Sequence, residues 1–214
     1  MNKIKYTEVK LYKLPVLPPV ALVKAEFQKI HPGAGLGLMR ESDYRRLSYV
    51  YSCIKHFGSV LDIGVASGQF MNILAMSGKF KRVCGIDIEQ HSKYARFTDS
   101  YEIHTAGVDN MPFGEKEFDV VTCMEVLEHL DSDTFQKALG EIRRICRLQL
   151  IVTVPLNEDP LPPYHRLRFT EEDVARYFPH AGYRLLIRHP PRRLSWLLNR
   201  PPLMSWLLIE ENYA

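Results

Sequence analysis

The chain has 214 residues, which is enough for one domain with a full hydrophobic core. Its formal net charge is only +3, so charge alone gives no argument for a nucleic-acid or membrane partner. No apolar run has the length of a membrane-spanning helix, and the charged start MNKIKYTEVK lacks the apolar centre of a signal peptide. The 4 cysteines show no C-x-x-C spacing, and we expect reduced thiols in a cytoplasmic protein.

Residues 1–40 differ in composition from the rest of the chain, because they contain several prolines and glycines that interrupt regular secondary structure. We expect an arm of short extended pieces that either covers the site or meets another subunit, as in a homodimer. HPGAGLG at 31–37 resembles a phosphate loop, but no strand precedes it and no Gly-Lys-Ser/Thr follows, which favours a hinge. Residues 41–214 are predicted to form the main domain, which begins with a helix from Glu41 to Phe57 capped by Ser42.

The segment VLDIGVASGQF, residues 60–70, is the most informative part of the chain. Its apolar start predicts a buried strand over 59–63, and the small residues after it predict a tight turn before a helix. Glycine in such a turn lets a ligand lie against bare backbone. A nicotinamide dinucleotide fits poorly, because Ala66 and Gln69 replace the second and third glycines of the G-x-G-x-x-G pattern.

Beyond this turn, short β-branched runs alternate with helical stretches, a pattern typical of a parallel sheet with helices on both faces. The predicted strands after the first are 82–87, 101–104, 118–123, 149–154, 183–188 and 204–210. The predicted helices are 68–76, 90–97, 133–147 and 170–178, the last capped by Thr170, with one further helical turn at RRLSWLL. The fold class predicted is α/β, a Rossmann-like, doubly wound, mostly parallel seven-stranded sheet with a C-terminal antiparallel strand pair.

The motifs resemble those of class I S-adenosylmethionine-dependent methyltransferases, most closely the small-molecule branch. The likeness covers roughly residues 43–210 and rests on five pieces in order: Asp62-x-Gly64-x-Ala66-x-Gly68, Asp87 at the second strand end, GVDNMPF, FDVVTCMEVLEHL and YHRLRFT. The resemblance implies S-adenosyl-L-methionine as cofactor, S-adenosylhomocysteine as product, and a small-molecule acceptor methylated at O or N.

The resemblance also assigns a set of cofactor-binding residues. Asp62 would bind the donor's amino group, and Asp87 would hold the ribose hydroxyls. Val108 would offer a backbone N–H to the adenine ring and Asp109 would contact its exocyclic amine from a shifted position, because Gly107 stands where relatives usually have an acid. The other positions expected to contact the donor are Gly64, Ala66, Ser67, Gly68, Ile88 and Met124.

Two groups are candidates for catalysis or metal binding. Glu125, Glu128 and His129 form E-V-L-E-H after the fourth strand. Some quinone-pathway O-methyltransferases use E-x-x-E-H to hold a metal, but the same letters occur in relatives without one, and we favour the metal-free interpretation because no further ligand is evident. Tyr164 and His165 follow the fifth strand, and His165 is our candidate general base.

Alternative functions remain open at this point. An RNA or protein methyltransferase is one. MEVL stands where a base-flipping N-P-P-Y tetrad would be, which disfavours an adenine or cytosine amino group as the acceptor but leaves other nucleic-acid chemistries open. A non-catalytic methyltransferase-fold subunit is another, and the intact Asp62 and Asp87 argue against it. The arginines near the C-terminus form either a solvated rim or a site for an anionic substrate or an acidic partner: Arg184, Arg188, Arg192, Arg193 and Arg200.

Overall fold

The computed structural model describes residues 4–31, 40–91, 94–189 and 204–211. Its strands are β1 (Tyr6–Lys10), β2 (Ser59–Ile63), β3 (Arg82–Asp87), β4 (Glu102–Thr105), β5 (Phe118–Met124), β6 (Cys146–Pro155), β7 (Gly182–Ile187) and β8 (Met204–Glu211). Its helices are α1 (Pro18–Ile30), α2 (Glu41–Cys53), α3 (Gln69–Met76), α4 (Ser132–Ile145) and α5 (Glu171–Tyr177). Among the described residues, no helix combines the length and the apolar character needed to cross a membrane.

The strands form one sheet in the order β1-β7-β8-β6-β5-β2-β3-β4. Every neighbouring pair is parallel except β6 with β8 and β7 with β8, which confirms the predicted fold class. From β2 the chain runs outward through β3 and β4, and β5 then returns to the other side of β2. Ligands of open α/β sheets bind where the strand order reverses in this way, at the carboxyl ends of the strands.

The N-terminal arm is more ordered than the sequence indicated. It contributes an eighth strand, β1, which pairs in parallel with β7, and a 13-residue helix, α1, rather than extended pieces alone. Val20, Val23 and Phe27 of α1 are buried in the core cluster that also contains apolar residues of α3. Burial of this apolar stripe explains the helix, since Pro18 and Pro19 sit at its first turn, where proline is tolerated.

Local hydrogen bonds explain where several helices begin. α5 has the predicted capping box, in which Thr170 and Asp173 bind each other's backbone N–H groups. α4 is capped by Asp131, whose side chain accepts from Thr134 N. The prediction for α2 was wrong in detail: its N-cap is Arg40, Ser42 lies inside the helix, and the helix ends at Cys53 rather than Phe57.

The helix predicted over 90–97 is absent from the described residues 90, 91 and 94–97. The backbone there bonds to other segments: Ala95 N donates to Ser67 O at 3.1 Å, and Phe97 N donates to Asn72 Oδ1 at 2.8 Å. These contacts replace the i→i−4 bonds of a helix and hold the segment against the turn after β2. The predicted helical turn RRLSWLL lies outside the described residues.

Candidate functional site

A cavity of about 560 Å³ opens at the carboxyl ends of β2, β3 and β5. All of the predicted cofactor-binding residues except Gly68 line it, and none of the described arm residues 4–31 does. Parallel strands bring these residues together, because their carboxyl ends meet at one edge of the sheet. Much of the remaining wall comes from α2, from the start of α3 and from the segment that follows β5.

Asp62, the penultimate residue of β2, is the buried acid of this cavity. It is 2% exposed, and its Oδ1 accepts a 2.7 Å hydrogen bond from Thr122 Oγ1 on β5. Burial raises the pKa of Asp62 to about 7, the nearby Asp87 carboxylate adds to the increase, and the Thr122 bond opposes it. A buried carboxyl with so little compensation for its charge is suited to a cationic ligand.

The turn after β2 takes a backbone shape that glycine favours. Gly64 and Gly68 have φ of +81° and +86°, and Ala66, although not glycine, has φ of +50°. A Cβ on Gly64 would lie 2.3 Å from Val126 Cγ2, and one on Gly68 would lie 2.8 Å from Ala95 O. The glycines are therefore required by backbone conformation and by close packing at both ends of the turn.

Asp87 ends β3 beside this turn. Its Oδ2 accepts from Ala66 N at 2.8 Å, its Oδ1 accepts from Glu89 N at 3.3 Å, and His91 Nε2 lies 3.6 Å from Oδ2. Ile88, the next residue, is 75% exposed and lies on the cavity wall. A carboxylate fixed in this way at the cavity can accept hydrogen bonds from a diol.

The segment after β4 supplies the far wall of the cavity, with Val108 and Asp109 as predicted. A Cβ on Gly107 would lie 2.6 Å from Asp109 Oδ1, so the missing side chain at position 107 leaves room for the carboxylate of position 109. This packing agrees with an acid that acts from a shifted position. Asn110 N donates to Gly107 O at 3.2 Å and closes the turn.

Glu125, predicted as catalytic, lines the cavity but is held in ion pairs. It pairs with Arg188, and its Oε1 lies 3.4 Å from Arg46 Nη1. Burial acts to raise the pKa of Glu125, but Arg188 and Arg46 outweigh it and lower that pKa. Its carboxylate therefore stays charged and is poorly suited to accept a proton. The catalytic role expected for Glu125 from the sequence stays a prediction. Burial and the Glu125 charge raise the pKa of the neighbouring Glu128.

Tyr164 and His165, the other predicted catalytic residues, do not line the cavity. Tyr164 is 68% exposed, and His165 Nδ1 bonds to the Glu158 carboxylate. Both rings pack on His129, with centroids 6.0 Å and 4.8 Å from its ring, and His129 itself lines the cavity. The structure thus places His165 behind the cavity wall, so the general-base role expected for it is not supported.

Sequence reasoning missed the contribution of α2. Asp43, Tyr44, Arg46 and Leu47 of this helix line the cavity opposite the strand ends. The apolar spacing identified the helix, but the pattern does not reveal which other element its polar residues face. A charged pair one turn apart, Asp43 and Arg46, was the available signal. That signal could not be interpreted from the sequence, because the ion-pair partner of Asp43 is Arg188, which lies 3.5 Å away in the structure but is distant in sequence.

Comparisons with known proteins agree with this geometry. Residues 61–149 match the family described as methyltransferase domain. An uncharacterized protein of Methanocaldococcus jannaschii is 34% identical over 103 residues, and the match spans 48% of this chain and only 42% of that protein.

Two solved structures share the fold over nearly the whole chain. One is a Burkholderia thailandensis 1,6-didemethyltoxoflavin-N1-methyltransferase with bound 1,6-didemethyltoxoflavin and S-adenosylhomocysteine (TM-score 0.64, 17% identity, 94% of this chain, 92% of that chain). The other is the cyclase SpnF (TM-score 0.64, 13% identity, 98% of this chain, 99% of that chain). The resemblance to class I S-adenosylmethionine-dependent methyltransferases is confirmed.

Proposed function

We propose that this chain, which carries a methyltransferase domain of the class I type, transfers a methyl group from S-adenosyl-L-methionine to an O or N atom of a small-molecule acceptor. One observation carries the proposal. Two carboxylates, Asp62 and Asp87, stand at the ends of neighbouring parallel strands and face one cavity across a glycine turn. A sulfonium nucleoside carries an ammonium group and a ribose diol, and each of these groups would bind one of the two carboxylates.

The chain's residues fit that donor. The buried Asp62 carboxyl, with its raised pKa, would gain a counter-charge from the donor's ammonium group. Asp87 would accept hydrogen bonds from the ribose, and the positive-φ turn keeps Cβ atoms away from the ligand at Gly64. Val108 and Asp109 would contact the adenine. When bound, the donor supplies a methyl group already activated on a sulfonium, so the protein mainly has to align it.

The cavity supports a small acceptor. Its volume of about 560 Å³ lies within the range of small-molecule sites. At the α2 side it is lined by Arg46, whose Nε has no hydrogen-bond partner among the described residues and can bind the polar part of an acceptor. The Burkholderia N-methyltransferase that shares the fold has 1,6-didemethyltoxoflavin bound, which supports a small-molecule acceptor here.

Two measurements test the proposal. Isothermal titration with S-adenosylmethionine and with S-adenosylhomocysteine should give saturable binding to the purified chain, and Asp62→Asn should weaken it. Transfer of labelled methyl to fractionated small molecules, RNA and protein should then label the small-molecule fraction. No heat with either nucleoside would contradict donor binding. Label in RNA or protein would contradict the small acceptor, and binding without any transfer would favour a cyclase-like or scaffold role.

A further inference from the structure

We propose that Cys84, Glu102 and His104 form a binding site for a zinc ion at the edge of the sheet, outside the cavity. Cys84 lies in β3, whereas Glu102 and His104 lie in β4, the edge strand. Each residue offers one ligand atom, and these three atoms all lie within 4.8 Å of one another. None of the three residues lines the cavity, so this site is separate from the proposed methyl-transfer site.

The pairing of β3 with β4 brings the three side chains to one face of the sheet. Cys84 and Glu102 are direct partners in this parallel pair, so their side chains lie next to each other. His104 follows Glu102 by two positions, and residues at that spacing share a face. The His104 ring also packs on Phe113 in a T-shaped contact, with centroids 5.0 Å apart. Strand pairing and this ring contact therefore assemble the three groups.

The distances between the ligand atoms fit a tetrahedral ion. Cys84 Sγ lies 3.4 Å from Glu102 Oε2, and His104 Nε2 lies 3.6 Å from the same oxygen. Tetrahedral zinc, with bonds of about 2.0–2.3 Å, places neighbouring ligand atoms about 3.3–3.6 Å apart. The contact of His104 with Glu102 is too long for a hydrogen bond, whereas it suits two ligands of one ion.

His104 Nε2 provides a second, independent observation. The atom is buried and has no hydrogen-bond partner among the described residues. Buried polar atoms nearly always have a partner, and a cation beside Glu102 would supply one. Arg82 approaches the Glu102 carboxylate only to 3.5 Å and pairs more closely with Glu117, at 2.7 Å. A metal ion can therefore take the place of Arg82 beside Glu102.

The ligand set indicates the ion. A thiolate, an imidazole and a carboxylate suit Zn²⁺, whereas Mg²⁺ and Ca²⁺ prefer oxygen ligands alone. Cys84 is fully buried, but the side chains of Glu102 and His104 are 58% and 37% exposed, so an ion can enter from the solvent side. Three protein ligands leave the fourth position to water. An ion held in this way would join β3 to the edge strand β4.

The test is titration of the reduced, chelator-treated full chain with Zn²⁺ by calorimetry and with Co²⁺ by absorption, both without S-adenosylmethionine. We expect one equivalent of Co²⁺ to give a near-ultraviolet thiolate-to-cobalt band, and Zn²⁺ to displace it. Cys84→Ala should lose the band, and His104→Gln and Glu102→Gln should weaken binding while circular dichroism stays native. Absence of the band in the native chain, or a band that persists in Cys84→Ala, would overturn the proposal.

Cys53→Ser and His180→Gln are the matched controls. Cys53 is a half-buried thiol at the end of α2, and His180 is exposed between α5 and β7. Neither residue belongs to the proposed site, so both variants should keep the native band and the native affinity. Loss of the band in Cys53→Ser, or binding weakened as much by His180→Gln as by His104→Gln, would contradict the assignment.

Zinc should also stabilise the folded chain, because the three ligands meet only when β3 and β4 pair. The midpoint of thermal unfolding should rise with Zn²⁺ concentration in the native chain and in Cys53→Ser, but not in His104→Gln. An equal rise in His104→Gln would overturn the site. None of these measurements uses the methyl donor, so a failure here and a failure of the methyltransferase proposal remain distinguishable.

Discussion

Asp87, at the end of β3, accepts a 2.8 Å hydrogen bond from the backbone N–H of Ala66, in the turn after the neighbouring strand β2. The sequence predicts only that these two strand ends lie near each other; it does not predict this hydrogen bond between them. The Asp87 carboxylate therefore has two roles, because it stabilises the positive-φ turn and also lines the cavity. The proposed donor site and the stability of the turn therefore depend on the same side chain.

Replacing Asp87 with alanine should weaken S-adenosylmethionine binding by about 1–3 kcal/mol. The variant loses the hydrogen bonds from the ribose and also the hydrogen bond from Ala66 N that stabilises the turn. Isothermal titration measures the change, and thermal unfolding shows how much of it is structural. Asp99→Ala is the matched control, since the Asp99 side chain is fully exposed. Equal affinity of Asp87→Ala and native protein would remove Asp87 from the donor site.

Donor affinity should depend on pH through Asp62. Its pKa of about 7 means that half of the unliganded protein carries a neutral Asp62 near neutrality, and only the carboxylate attracts a cation. Affinity should therefore rise between about pH 6 and pH 8, with release of a proton on binding. Calorimetry in buffers of different ionisation enthalpy measures that proton. An equal rise in Asp62→Asn would assign the titration to another group.

The raised pKa of Asp62 also predicts that the stability of the folded chain depends on pH. The pKa of Asp62 in the folded chain is raised from its ordinary 3.8 to about 7, so between these values the folded state holds a proton that the unfolded state has lost. The free energy of unfolding should therefore fall as pH rises through this window, by on the order of 4 kcal/mol at most. Urea denaturation at several pH values should show a flatter profile for Asp62→Asn. Identical profiles would contradict the raised pKa.

Gly64→Ala should destabilise the chain by about 1–3 kcal/mol, because a side chain at φ of +81° is strained and its Cβ would lie 2.3 Å from Val126. Gly140→Ala is the matched control. Gly140 lies in α4 with open space around it, and alanine there should stabilise the helix by about 0.5–1 kcal/mol. Denaturant titration separates the two, and loss of stability in both variants would refute the conformational argument.

Glu125→Gln should be strongly destabilising, by about 3–5 kcal/mol, since it leaves Arg46 buried without its ion-pair partner and leaves Arg188 paired with Asp43 alone. The exposed pair of Glu26 with Lys29 offers a comparison, and Glu26→Gln should cost less than about 1 kcal/mol. Chemical denaturation measures both. A small effect of Glu125→Gln would indicate that Glu125 is free to act on the acceptor.

Local sequence was sufficient to predict the residues at the strand ends that line the cavity. Asp62, Gly64 and Asp87 were predictable because an apolar run followed by a small-residue turn is a short-range pattern, and parallel strands place their ends at one edge. The helix predicted over 90–97 failed for the opposite reason. Its backbone donors bond to Ser67 and Asn72, partners that the helical pattern does not contain.

The sequence by itself determined seven of the eight strands and the two acids that face the cavity, because side-chain periodicity and turn chemistry act over a few residues. Only the tertiary structure decided that Arg46 and Arg188 neutralise Glu125, and that His165 meets His129 behind the wall. The residues of these contacts are separated by tens of positions. Their proximity depends on how a helix and two loops pack on the sheet, and neither spacing nor composition encodes that packing locally.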